Sequence, residues 1–334
     1  MCLYLYDIYR YTSYKNKIKY MKILVVGGAG YVGGSVTDIL LEKNYDFTVY
    51  DKLLYETEYL KNCDFIYGDV RDYEKINKVL KNYDCVIWIA ALVGDGACSI
   101  NPEITNDINF KAVKNLSKNF DGRIIFFSTC SVYGKQTGIL DENSNLNPLS
   151  AYAETKLKAE NVLTNKNAII FRLGTLFGLS DLHSRIRMDL VINTLTARAF
   201  LDNKINIFGG EQYRPLLHVK DSARAIVDSI TKKEVGVFNL AFENYKIIDI
   251  AYLVREHFPN LEINITEIPF QDNRTYMVNK DKSLKYLNFE AKITPQDGVE
   301  EVKKLLINKR IKDFNDLRYH NQKYLEYFKN KIEL

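Results

Sequence analysis

The stretch MKILVVGGAGYVGGS, residues 21–35, runs four apolar residues directly into a cluster of glycines. A strand that ends this way must bring its backbone closer to something than a side chain would allow. Gly27, Gly28, Gly30 and Gly33 satisfy two registers at once, Gly28-x-Gly30-x-x-Gly33 and Gly27-x-x-Gly30-x-x-Gly33. Either register supplies a tight turn, bare backbone able to approach a pyrophosphate, and close packing of the next helix, which Tyr31 and Val32 open. Glycine runs are also ordinary turns. This one follows a strand pattern and opens a helical one, which favours a dinucleotide-phosphate loop.

Such a loop needs a carboxylate about 20 residues further on to accept the ribose hydroxyls. FTVYDK places Asp51 at the end of the second strand pattern, 21 positions after Gly30. An aspartate there can simply begin a loop, but the strand-end position favours the ribose role. Its charge would repel a 2′-phosphate, so NAD is expected over NADP, with the neighbouring Lys52 weakening that exclusion.

Composition narrows the partners. A chain of 334 residues, 46% hydrophobic, can bury a large core and suggests two domains or one domain with a lobe. Basic residues number 46 against 42 acidic, without clustering, so nucleic acid is not an expected partner. The five cysteines are scattered, with no Cys-x-x-Cys pair and only four histidines, which argues for a reducing compartment and against a metal site. No run approaches the roughly 20 apolar residues of a membrane span, so a cytoplasmic chain without a membrane partner is expected. In residues 1–20 the apolar run is broken by Asp7 and Arg10 and no small-residue cleavage site follows, so a signal peptide is not expected. That segment reads as a poorly ordered extension before Met21, as from an upstream start codon, and stands apart from the fold.

From Lys22 onward, short apolar runs alternate with helical patterns: KILVVG, a helix over about 31–43, DFTVYD, CDFIYGD, a helix over 72–81, DCVIWIAA, a helix over 104–119, RIIFFS, a helix over 150–165, and NAIIFRLG. This alternation predicts an α/β fold with a Rossmann-like doubly wound parallel sheet over residues 21–175. After that the pattern loosens into helices with short strands, INIFGG, GVFNLA and LEINITEI. Residues 176–334 therefore read as a smaller α+β substrate lobe, with C-terminal helices, closing over the sheet's carboxyl edge.

If a nicotinamide binds, a hydroxyl losing its hydride must also lose its proton. SAYAETKLKAE offers Tyr152 and Lys156, four apart on one helix face, and an ammonium beside the phenol is expected to lower its pKa toward the working range. The pair alone means little, because Tyr followed by Lys at the fourth position recurs at Tyr11, Tyr276, Tyr319 and Tyr327. Only Tyr152 follows the fifth strand, beyond the hydroxyl-rich end FFSTCSVYG. Ser128 and Thr129 there can bond a substrate hydroxyl, or merely cap the strand.

Taken in order, GGAGYVGG, Asp51, GDVRD, IAALVG, STCSVYG, YAETK, FRLGTLFG and RPLLHVKD resemble the extended short-chain dehydrogenase/reductase family, in its NAD-dependent epimerase/dehydratase group acting on nucleotide sugars. The resemblance spans residues 21 to about 310. It implies that Gly27, Gly30 and Gly33 form the phosphate loop and that Asp51 meets the ribose. Asp69 and Val70 would lie at the adenine edge, and Ala90, Ala91 and Leu92 along the cofactor. Thr129, Tyr152 and Lys156 match the catalytic trio, and Arg214 the arginine that grips the substrate's phosphates. Dehydratases of this group carry Asp-Glu after the catalytic hydroxyl, where this chain has Cys130 and Ser131. Gly174 replaces a frequent asparagine, and SDLHSRIRMDLVIN departs from the usual substrate loop. Arg185 and Arg187 in it read equally as phosphate contacts, with Arg187 retained as a substrate residue, or as a solvated helix face. The resulting expectation is an NAD-dependent nucleotide-sugar enzyme, a homodimer, that oxidises the sugar C4 hydroxyl as a 4-epimerase or 4-dehydrogenase. The alternative is a non-catalytic NAD(P)-binding regulatory protein of the same fold.

Asp51 yields a direct test. Titrating the protein with both dinucleotides should show NAD binding more tightly, and equal or tighter binding of NADP would remove Asp51 from the ribose role.

Overall fold

The computed structural model describes residues 21–56, 58–266 and 274–329, so the extension read at residues 1–20 lies outside the described residues. Its first half follows the sequence pattern closely. In order come β1 (Ile23–Val26), α1 (Tyr31–Glu42), β2 (Phe47–Asp51), β3 (Asp64–Tyr67), α2 (Tyr73–Leu80) and β4 (Cys85–Trp88). Then follow α3 (Asp95–Ile100), α4 (Pro102–Asn106), α5 (Ala112–Asn119), β5 (Arg123–Thr129), β6 (Lys135–Leu140), α6 (Ala151–Leu163) and β7 (Ala168–Leu173). The expected helix over 104–119 is interrupted by a π turn at Asp107–Lys111.

Every residue of β1, β4 and β7 is buried, as the uninterrupted apolar runs require of strands covered on both faces. Their side chains alternate between two cores. Ile23 and Val25 pack with Val36 and Leu40 of α1, whereas Leu24 and Val26 pack with Ile76, Leu116 and Leu163 on the other face. Each such aliphatic side chain contributes about 1.5–3 kcal/mol on burial.

The chain then forms β8 (Thr175–Phe177), α7 (Val191–Asp202), β9 (Lys204–Phe208), β10 (Tyr213–His218), α8 (Val219–Asp228), β11 (Gly236–Leu240), β12 (Asn244–Lys246) and α9 (Ile247–His257). It ends with β13 (Glu262–Thr266), β14 (Thr275–Val278), α10 (Asp281–Leu287), α11 (Pro295–Ile307) and α12 (Asn321–Phe328). GVFNLA, grouped by pattern with the second lobe, is instead β11, the seventh strand of the main sheet, paired in parallel with β7. The strand order is β11-β7-β5-β4-β1-β2-β3, and it reverses between β1 and β4. The crevice outside the carboxyl ends of these two strands is where such a sheet binds ligands.

The later strands build smaller sheets over that edge: β12-β10-β8, the parallel pair β13-β9, and the parallel pair β14-β6. A separate core, with Phe177, Ile192, Leu216, Ile250 and Val299, holds this part together. Pairing of β14 with β6 brings a C-terminal strand against the segment that leaves β5, so one wall of the crevice is built from residues about 140 positions apart in the chain.

Candidate active site

The first glycine closes the crevice's floor. Gly27 has φ of +87°, and a Cβ there would stand 2.7 Å from Ala90 Cα. Gly33 is equally constrained, since a Cβ would fall 2.5 Å from the carbonyl oxygens of Gly27 and Gly28. These two glycines are explained by the chain's own packing. Gly30 is not: a Cβ would meet only Gly27 O, at 3.4 Å, with nothing else within 4 Å. Gly30 is also the N-cap of α1 and provides no side-chain cap, while the first turn of α1 carries no acidic residue. The uncapped N–H groups and the bare backbone suit an anion of pyrophosphate size, so this chain's residues fit a dinucleotide.

The long cavity that starts at this loop is lined by Gly27, Gly30, Tyr31, Val32, Asp51, Lys52, Asp69, Val70, Ala90, Ala91, Leu92, Ser128, Tyr152 and Lys156. Asp51 Oδ2 accepts from Ala29 N at 3.0 Å and Oδ1 from Leu53 N at 2.8 Å, which fixes the carboxylate at the strand end. Burial raises its pKa, and the backbone N–H groups oppose that shift. The Lys52 ammonium lies 2.9 Å from Asp69 and is engaged there, which relieves the weakening of NADP exclusion anticipated from Lys52. Burial works against the Asp69 charge, but Arg71 and Lys52 outweigh it and hold this carboxyl well below the usual range.

A residue without any spacing signal orders the middle of the cavity. Asn109, in the π turn, accepts from Leu92 N at 2.8 Å and donates to Leu92 O at 2.9 Å, clamping the Ala90–Leu92 segment. Such turns rotate a side chain out of helical register, so only the fold reveals this one.

Tyr152 lines both this cavity and a second one, which Thr129, Ser131, Arg187, Arg214, Arg274 and Tyr276 also line. Burial pushes the Tyr152 phenol up, and the Thr129 hydroxyl and Arg187 pull it the other way. Lys156 donates to Phe127 O at 2.6 Å, and burial draws its own pKa down to about 8. Burial outweighs the lowering of the Tyr152 pKa expected from Lys156 and disfavours the charged form of both groups. Ser128 donates to Glu160, whose carboxylate is paired at 2.7 Å with Arg172, both side chains being almost fully buried. The strand end is thereby anchored in a fixed position beneath Tyr152.

Arg185 and Arg187 are buried and lie outside any helix, which overturns the solvated-helix reading. Arg187 Nε donates to Asp189 at 2.9 Å. Arg214 donates from Nη1 to the carbonyls of Tyr213 and Arg274. Arg274 is 2.8 Å from Asp95 and donates to Ser131 Oγ at 3.0 Å. Arg274 carried no motif in the sequence and Tyr276 only the uninformative Tyr-to-Lys spacing; pairing of β14 with β6 delivers them. Cys130 is fully buried, donates to Arg172 O, and has its thiol pushed up by burial. Among the described residues no cluster of three or more His, Cys, Asp or Glu could hold a metal, and no helix is long and apolar enough to cross a membrane.

A model of the NAD dependent epimerase/dehydratase family matches residues 23–241. The chain belongs to this family. It is 27% identical to a UDP-glucose 4-epimerase of Corynebacterium glutamicum, over 71% of this chain and 80% of that protein. It is 23% identical to UDP-glucuronic acid decarboxylase 1 of Arabidopsis thaliana, over 84% of this chain and 68% of that one. The solved structure of Pal from Bacillus thuringiensis superposes with a TM-score of 0.76 at 26% identity, covering 86% of this chain and 99% of Pal. With the cavity's glycine loop, these findings make NAD the cofactor of this family member.

The two kinds of glycine separate in one experiment. Gly33→Ala should lower thermal stability, because its Cβ meets backbone oxygens. Gly30→Ala should leave the melting temperature within a few degrees of the parent while weakening NAD at least tenfold by titration calorimetry.

Proposed function

We propose that this protein is an NAD-dependent enzyme that oxidises the C4 hydroxyl of a nucleotide-diphosphate sugar, as a 4-epimerase or 4-dehydrogenase, and does not dehydrate it. The observation that carries this reading is the meeting of the two cavities at Tyr152, with Thr129 and Lys156 beside it. NAD supplies the hydride acceptor. Tyr152 takes the hydroxyl proton once the positive charge of Lys156 and of the bound cofactor's ring offsets the desolvation that otherwise holds its phenol neutral; Thr129 orients the hydroxyl. Arg214 and Arg274 on the second cavity's wall suit the two phosphates of the substrate, and Arg187 lies between the cavities. A binding module would have no use for the assembled trio, which argues against the regulatory alternative. The reading keeps a cytoplasmic homodimer as the expected working form.

Elimination of water across C5 and C6 would need an acid and a base beyond Thr129. Cys130 does not reach the second cavity and its thiol is held protonated by burial. Ser131 does reach it, but its hydroxyl is bonded to Tyr276 and Arg274 and is far too weak an acid.

Incubation with a panel of nucleotide sugars, followed by absorbance near 340 nm and product mass, tests this. A substrate should turn over with no change of mass (4-epimerase) or with loss of two hydrogens (4-dehydrogenase), and loss of water would overturn the reading. Tyr152→Phe should bind NAD as the parent does while kcat falls by roughly 10²–10⁴.

A further inference from the structure

One wall of the cofactor cavity is made by residues that the glycine loop, the ribose carboxylate and the catalytic trio leave unexplained. Arg185 is almost fully buried and lines the cavity, yet its hydrogen bonds among the described residues go to neutral groups, the Arg318 carbonyl and Asn321 Oδ1. Its Nη2 has no partner among the described residues, and neither has the hydroxyl of Tyr55, which lines the same wall. The guanidinium lies on the Tyr55 ring, 3.7 Å from its centroid, and burial draws its pKa down to about 10. A buried guanidinium with an empty donor is costly to keep unless a ligand completes it.

The position of this wall is set from both sides. Tyr31 donates to Gly178 O at 2.8 Å and Ser35 meets Ser180 at 2.8 Å, so the segment leading to Arg185 is fastened to the first turns of α1. From the other direction, Asn321 N donates to Asp189 at 2.9 Å, Met188 N to Tyr319 O at 2.9 Å, and Asn321 Nδ2 to Val93 O at 2.8 Å. Leu325 of α12 packs with Leu92 and Cys98, and the Tyr324 ring packs against that of Tyr55 at a 57° tilt, with centroids 5.0 Å apart. Residues 317–328 thus run from the Arg185–Asp189 segment to the end of β4, across the cavity. Of the carboxylates nearby, Asp189 is bonded by Arg187, and Glu56, on the same wall, interacts foremost with Arg318; both act on Arg185 only through space.

We propose that Arg185, with the Tyr55 hydroxyl, binds the diphosphate of the dinucleotide held at the N-terminus of α1, and that residues 317–328 are the strap that keeps this clamp in place. The proposal rests on the NAD reading of the cavity and adds two cofactor ligands, Tyr55 from the loop after β2 and Arg185 from outside the nucleotide-binding half. A fork of N–H donors and a phenol hydroxyl match phosphate oxygens, and a charge-assisted hydrogen bond of this kind corresponds to roughly 10- to 100-fold in affinity.

Three probes locate the contact: NAD, ADP-ribose and adenosine, titrated into nucleotide-free protein. Arg185→Gln should weaken NAD and ADP-ribose by about 10- to 100-fold and leave adenosine, which has no phosphate, within twofold. Unchanged NAD affinity, or an equal loss for adenosine, overturns the clamp. Should Arg185→Gln fail to fold, Tyr55→Phe decides, since it deletes a hydroxyl that has no partner in the folded chain. It should weaken NAD and ADP-ribose severalfold with adenosine unchanged, and no change in NAD affinity overturns the proposal. Failure of the unmutated protein to bind NAD at all would instead overturn the NAD reading, and the clamp with it.

Discussion

The structure depends on one close approach, that of the β1–α1 turn to the backbone at the end of β4. Gly27 can touch Ala90 only because it has no side chain, and Gly33 lets α1 pack against the carbonyls of Gly27 and Gly28. A methyl group at either place would push the helix away from the sheet. The helix N-terminus would then no longer point into the crevice where the strand order reverses. Asp51, Asp69 and the Ala90–Leu92 segment acquire their places along one cavity only because this contact sets the spacing of β1, β2 and β4.

Around that frame the site is assembled from dry, mutually constrained polar groups. The buried Glu160–Arg172 pair receives the Ser128 hydroxyl, and Arg172 also reaches the Tyr133 hydroxyl, so the end of β5 is held by bonds that cannot exchange freely with water. Breaking one member of such a pair leaves an uncompensated charge, which makes the arrangement stiff. Tyr152 and Lys156 stand in the same low-dielectric region, where desolvation resists the charged form of each. Charge at this junction is therefore governed by what else enters the two cavities, which suits the proton transfer proposed for Tyr152.

The second cavity is a product of chain return. β10, β14 and the segment around Arg187 come from distant parts of the chain, and their arginines converge only after β14 has paired with β6 and β10 with β8. The same folding back carries β11 into the main sheet and α12 onto the edge beyond β4.

What the sequence by itself determined was whatever depends on local period and fixed spacing. Apolar runs between helical patterns specified the parallel sheet, the glycine spacing specified the tight β1–α1 turn, and Asp51, Thr129, Tyr152 and Lys156 were legible as candidates from their positions at strand ends and on a helix face. The tertiary structure alone decided the rest. GVFNLA looks like any short strand until β7 offers it an edge, and Asn109 is an ordinary helical asparagine until the π turn directs it at Leu92. Arg185 and Arg187 look like surface charges until the fold buries them, Arg185 against the C-terminal segment and Arg187 against Asp189 and the Tyr31 ring. The proton affinity of Tyr152 could not be read from Lys156 four residues away, because it is set by burial. Desolvation sums over every neighbour in space, and most of those neighbours are far away in the chain.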